Sequence, residues 1–265
     1  MRRVVAVMVT WGALVSASGV PDAVAAAEEE RAPAGFVALA DVAPGVLQEI
    51  RYAGPHNFVG ERVDGYREGR CLLARETALA LREVHRAARR HGYGLKTYDC
   101  YRPQRAVDHF VRWALDRSDV RMKAEFYPRV PKHRLFTEGY IARRSGHSSG
   151  GTVDVTLVPR PVPGTRSYVP GEPLVPCFAP RMVRFPDTSV DMGTGYDCFD
   201  AKARTLHPEV TGAQRANRLL LKRLMEAEGF ENLPQEWWHF THRDQPFPHR
   251  RFDFPITRDA VESPG

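Results

Sequence analysis

Between residues 74 and 90 the apolar positions Leu79, Leu81, Val84 and Ala88 recur among charged residues, a spacing that predicts a helix with one face inward and Gly92 as its stop. The same period returns after Pro103, which suits the first turn of a second helix carrying Ala106, Val107, Phe110, Val111 and Ala114. It appears again over residues 212–228, with Leu220, Leu221, Leu224 and Met225 inward and Gly229 capping. Elsewhere the period shortens to two. Residues 152–158 (TVDVTLV) read as a strand with Thr152, Asp154 and Thr156 on one face and Val153, Val155 and Leu157 on the other. Further short strands are expected at residues 49–52, 95–100 and 237–241. Strands and helices interleave without a regular strand–helix repeat, so the expected class is α+β rather than a doubly wound sheet.

The strand at 152–158 carries an acid beside two hydroxyls, and the two glycines before it, Gly150 and Gly151, permit a tight turn that would bring His147 back to Asp154. Far downstream, Glu236 and His239 are three apart, a spacing that a turn or bulged strand converts into two side chains at one cavity, walled by Trp237 and Trp238. Alone, His147 reads as an ordinary polar histidine and Asp154 as a turn residue; it is the joint pattern that counts. A structural zinc closes its shell with four protein ligands, whereas a catalytic zinc takes three and leaves a position open. His147, Asp154 and His239 are three. Glu236 is then left over as a general base; its plainer role would be to orient a ligand histidine.

These segments occur in company. Residues 50–53 (IRYA) with 57–60 (NFVG), 99–107 (DCYRPQRAV), 139–142 (GYIA), 145–154 (SGHSSGGTVD), 191–194 (DMGT) and 236–240 (EWWHF) stand in the order of the landmarks of one family. The chain resembles the zinc D-alanyl-D-alanine dipeptidases of the VanX type, within a wider group that holds D,D-carboxypeptidases and has hedgehog signalling domains as structural relatives. The resemblance implies a mainly antiparallel sheet with flanking helices, one Zn2+ per chain, and Arg102 as the partner of the developing oxyanion. It places the equivalents of Ser145 and Asp191 at the substrate pocket, with Asp191 pairing the free ammonium of D-Ala-D-Ala; the plain alternative for Asp191 is a turn residue before Gly193. If Asp191 does not reach the substrate, a D,D-carboxypeptidase acting on longer wall peptides is the alternative. A zinc-dependent binding domain without turnover is a third reading, against which Glu236 argues. The stretch from residue 159 to 190 departs from the family pattern; it is long, proline-rich and contains Cys177.

Composition changes the picture in three places. Met1, Arg2 and Arg3, an apolar run over residues 4–15 and the alanine-rich residues 23–27 have the parts of a secretory signal, so residues 1–27 are expected to be removed and residues 28–265 to form one exported catalytic domain, periplasmic or cell-wall associated. The apolar run is shorter than the ~20 residues of a membrane span. Four cysteines with no Cys-x-x-Cys pair favour disulfides over a metal cluster. Sequential elements tend to be neighbours, which pairs Cys71 with Cys100, and Cys177 and Cys198 then bracket the proline-rich stretch. The formal charge of +6 is modest, and Arg86, Arg89, Arg90 and His91 sit where cations complement a helix C-terminus, so no nucleic-acid partner is expected.

Overall fold

The computed structural model describes residues 30–262; the expected signal segment lies outside them. Among the described residues seven strands form two sheets. A small antiparallel pair joins β1 (Phe36–Ala38) to β3 (Leu72–Ala74). The main sheet has the order β2-β4-β5-β7-β6, made of Leu47–Gln48, Tyr93–Asp99, Thr152–Pro159, His239–His242 and Phe230–Asn232 respectively. Its β4, β5, β7 and β6 pair antiparallel, but β2 joins β4 in parallel, so the sheet is mixed where a mainly antiparallel one was expected. The α+β class holds.

Three long helices flank the sheet: α1 (Arg75–Arg90), α2 (Gln104–Leu115) and α3 (Gly212–Ala227). The face that α1 buries against β4 and α3 is Ala78, Leu81, Val84, His85 and Ala88, a true 3–4 repeat; Leu79, expected inward, falls beside this stripe and is only half-buried. Pro103 stands as the residue before α2 rather than in its first turn, with its carbonyl accepting from Ala106 N–H. Residues 49–52 do not form a strand. Glu49 N–H still bonds Thr97 O, but Arg51–Ala53 close into a 3-10 turn, which carries Tyr52 into the core.

The register of the sheet builds the site. Asp99 on β4 lies opposite Asp154 on β5, and Asp154 lies opposite His239 on β7. Directly opposed residues have Cβ atoms about 4.5–5.5 Å apart, so three chemistry-bearing side chains line up across three strands. A register shift between Thr97 and Asp99 bends β4 just before this row. From Thr152 to Val158, β5 is buried on both faces, including its polar one. A polar face under cover is a site rather than a surface.

The stretch from 159 to 190 has no helix or strand beyond the end of β5. Two cross-links are present as expected: Cys71–Cys100, with Cα atoms 5.2 Å apart, ties β3 to the end of β4, and Cys177–Cys198, at 5.5 Å, ties the stretch to the segment behind the site.

Candidate metal centre

Gly150 at φ +77° closes the turn that follows the 3-10 segment Gly146–Ser149, and the Ser145 hydroxyl caps that segment by accepting from His147 N–H. The turn folds His147 back over β5. Its Nδ1–H donates to Cys100 O at 2.7 Å, which fixes the tautomer and leaves Nε2 as a lone-pair donor. That Nε2 lies 3.3 Å from Asp154 Oδ1 and 3.3 Å from His239 Nδ1, while His239 Nδ1 lies 3.1 Å from Asp154 Oδ1. Among the described residues this is the group whose ligand atoms converge; His242 packs against Phe230 instead.

The triangle has the dimensions of a coordination shell. A tetrahedron with bonds of about 2.0–2.1 Å has edges of about 3.3–3.4 Å, close to all three separations. Asp154 Oδ1 is buried and has no hydrogen-bond partner among the described residues, and an orphaned carboxylate oxygen facing two imidazole nitrogens calls for a cation. Its other oxygen accepts from Tyr196 OH at 3.0 Å, an outer contact that orients the carboxylate. Burial opposes the charge on Asp154, yet the imidazoles of His147 and His239 outweigh it and hold the carboxyl well below its usual range.

Around this triangle lies a cavity of about 220 Å3 that takes in Arg102, Ser145, Glu236 and His239. A turn closed by His239 N–H to Glu236 O puts Glu236 Oε2 3.5 Å from His239 Nδ1, near the triangle but outside it. Burial pushes the Glu236 carboxyl up to about 7, with His239 opposing and Asp154 adding. The tryptophans do not wall this cavity: Trp237 gives its indole N–H to Thr194 and lines a neighbouring cavity, and Trp238 packs edge-on to Tyr196. Arg102 is fixed by Asp99, with Nε at 2.8 Å and Nη2 at 2.7 Å from Oδ2, and lies over the rings of Tyr52 and Phe110. Its Nη1 reaches toward Ser145 Oγ at 3.5 Å.

Asp191 is where expectation and structure part. It lies outside the cavity lining, bound to Arg184 Nη2 at 2.8 Å and Gln214 Nε2 at 2.8 Å, and its Oδ1 accepts from Gly193 N–H at 2.9 Å. That is the turn role, and its carboxylate is already matched by a cation. Besides Asp154 and Glu236, the carboxylate that lines the cavity is Asp197, six residues on in the same glycine-rich segment. Asp197 has φ +53°, the one non-glycine residue in the left-handed region among those described, and it accepts from Tyr52 OH at 2.7 Å. No cation pairs with it among the described residues, and burial together with Asp154 raises its pKa well above the usual range. Both aspartates flank Met192 to Tyr196 in the sequence, and a second acid at the far end of that run was the signal to weigh.

Comparison with known proteins agrees with the geometry. A model of the D-ala-D-ala dipeptidase family (peptidase M15) matches residues 32–160 and 186–257. A D-alanyl-D-alanine dipeptidase of Enterococcus faecalis is 35% identical over 223 residues, covering 84% of this chain and 98% of that protein. One of Streptomyces coelicolor is 36% identical over 221 residues, covering 83% and 98%. One of Escherichia coli is 29% identical over 205 residues, covering 77% and 83%. The chain therefore belongs to the D-ala-D-ala dipeptidase family and is a metallopeptidase.

Proposed function

We propose that this protein hydrolyses the D-alanyl-D-alanine dipeptide to free D-alanine, with zinc held by His147 Nε2, Asp154 Oδ1 and His239 Nδ1. The observation that carries this reading is the triangle of ligand atoms 3.1–3.3 Å apart around an orphaned carboxylate oxygen, with Glu236 beside it. Zinc in such a site supplies a Lewis acid and lowers the pKa of water. The chain supplies the rest. Glu236 takes the proton of the attacking water and returns it to the departing amine, and a carboxyl poised near neutral pH suits both transfers. Arg102, with two N–H groups spent on Asp99, keeps Nη1 toward the cavity for the developing oxyanion, and Ser145 lies within reach of the same substrate end.

Asp197 is the partner of the dipeptide's ammonium. A buried carboxylate without a cation is costly until a ligand supplies one, which makes a free amino terminus the preferred substrate feature. Cutting within a dipeptide needs this contact close to the metal; trimming a longer wall peptide does not. Residues 28–265 form the mature exported domain and residues 1–27 its signal.

The test is to incubate zinc-loaded mature protein with D-Ala-D-Ala, N-acetyl-D-Ala-D-Ala, L-Ala-L-Ala and a wall pentapeptide, and to measure released alanine. Hydrolysis is expected for the first alone, with discrimination against the acetylated form above about 100-fold, and Asp197→Ala should narrow that gap. Efficient release of D-alanine from the pentapeptide would replace this reading by a D,D-carboxypeptidase.

A further inference from the structure

A second cavity, of about 380 Å3, is larger than the metal cavity and distinct from it. Tyr196 connects the two: it lines the larger space, and its hydroxyl donates to Asp154 Oδ2, which belongs to the metal cavity. The inner side comes from the sheet and its surroundings, including Tyr98 and Asp187. The outer side comes from Val175, Arg181, Met182, Arg184 and Phe185, all within the residues 161–185 that the family match passes over. The outer side of this space is therefore built from residues outside the family match.

Its charges are unequally committed. Asp187 is taken by Lys96, Arg51 and Tyr98, and Glu125 by His56. The cations of the outer wall are less occupied. Arg184 gives Nη2 to Asp191 and Nη1 to Cys177 O, but its buried Nε has no hydrogen-bond partner among the described residues. Arg181 is exposed, has no hydrogen bond or ion pair among the described residues, and stands close enough to oppose the charge on Arg184. Arg181, with no partner among the described residues, and Arg184, which gives away one N–H from each Nη and keeps the other, stand above an aromatic and aliphatic lining and describe a receptor for an anion with an apolar body. The volume falls in the range of small-molecule sites, about 300–1,000 Å3. Arginine presents its N–H fork in the geometry of a carboxylate.

We propose that the 161–185 insertion forms a second binding site, in which a small carboxylate with an apolar body sets its charged end on Arg181 and Arg184 and its body against Phe185 and Val175. The site is independent of the reaction assigned to the metal cavity.

Calorimetry on the zinc-loaded full chain tests it with three probes: hexanoate, its uncharged match hexanamide, and inorganic phosphate, an anion without an apolar body. Hexanoate is expected to bind once per chain, with hexanamide and phosphate each at least about tenfold weaker, the effect of one charge-assisted hydrogen bond or a few buried methylenes. Arg181→Ala should weaken hexanoate about tenfold with zinc content unchanged, and Arg181→Lys should retain part of the affinity. The assignment is overturned by any of four results: no hexanoate binding at millimolar concentration, equal binding of hexanamide, equal binding of phosphate, or hexanoate affinity that survives Arg181→Ala and is lost in His239→Ala, which would put the carboxylate on the metal.

Discussion

The two cavities are connected through Tyr196, which lines the larger and bonds Asp154 of the metal cavity, and they are built in opposite ways. The metal cavity is built on three adjacent strands in register that carry Asp99, Asp154 and His239, with His147 and Glu236 brought to them by short turns, and its groups are held by defined neighbours: His147 by Cys100 O, Arg102 by Asp99, Asp154 by Tyr196. The larger cavity takes its outer wall from irregular chain, pinned by one disulfide and by the Asp187 cluster. Sheet register delivers precision to tenths of an ångström, which catalysis needs. A loop wall delivers shape, which can change without disturbing the sheet.

The contrast breaks first at the metal cavity. His239→Ala should release zinc and abolish hydrolysis, read by metal analysis and alanine release, because a catalytic site has no fourth protein ligand to compensate. Glu236→Gln should keep zinc and lose about 10²–10⁴-fold in kcat, which separates the base from the ligands. Near wild-type turnover in that variant would remove Glu236 from the mechanism. Arg102→Ala should follow at about 100-fold or more.

Perturbing the other side should cost stability rather than chemistry. Asp187→Ala leaves Lys96 and Arg51 with Glu49 as their remaining carboxylate, and a loss of about 3 kcal/mol is expected by chemical denaturation, with zinc still bound. This contribution has a pH signature. Burial disfavours the Asp187 charge, but Lys96 and Arg51 outweigh it and depress the pKa, so its stabilisation is full above about pH 4, where the unfolded chain is ionised, and fades as pH falls through the folded value. The melting-temperature gap between wild type and Asp187→Asn should therefore shrink in acid. A gap that widens below about pH 4 would contradict the sign. Least of all, replacing Cys177 and Cys198 by serine should lower stability by about 3 kcal/mol or less through the reopened loop, and leave metal content intact.

How far the sequence could be read divides along the same line. The long helices, β5 and the ligand group were legible because apolar period and residue chemistry are local, and the pairing of Cys71 with Cys100 followed from adjacency. Burial of both faces of β5 was not, since period two describes the strand and not what covers it. The 49–52 strand failed because a 3-10 turn from Arg51 buries Tyr52 just as a strand would. Asp191 was named and Asp197 was not considered, and nothing in the run between them tells which carboxylate meets Arg184 and which meets only Tyr52; that is decided by distant chain. The aromatic pair was misplaced for a related reason, since Trp237 turns its indole to Thr194 and stays out of the cavity of His239 and Asp154.

The Cys177–Cys198 cross-link also decides what a protease can do. Arg181 lies exposed inside the loop that this bond closes, so a tryptic cut after it severs the backbone yet leaves one covalent molecule, which separates on a gel only after reduction. A cut after exposed Arg166 lies outside that loop and leaves the pieces joined by non-covalent packing alone. For a protein expected to work outside the cell, among hydrolases, the loop has a nick-tolerant half and a vulnerable half, and the boundary between them is Cys177.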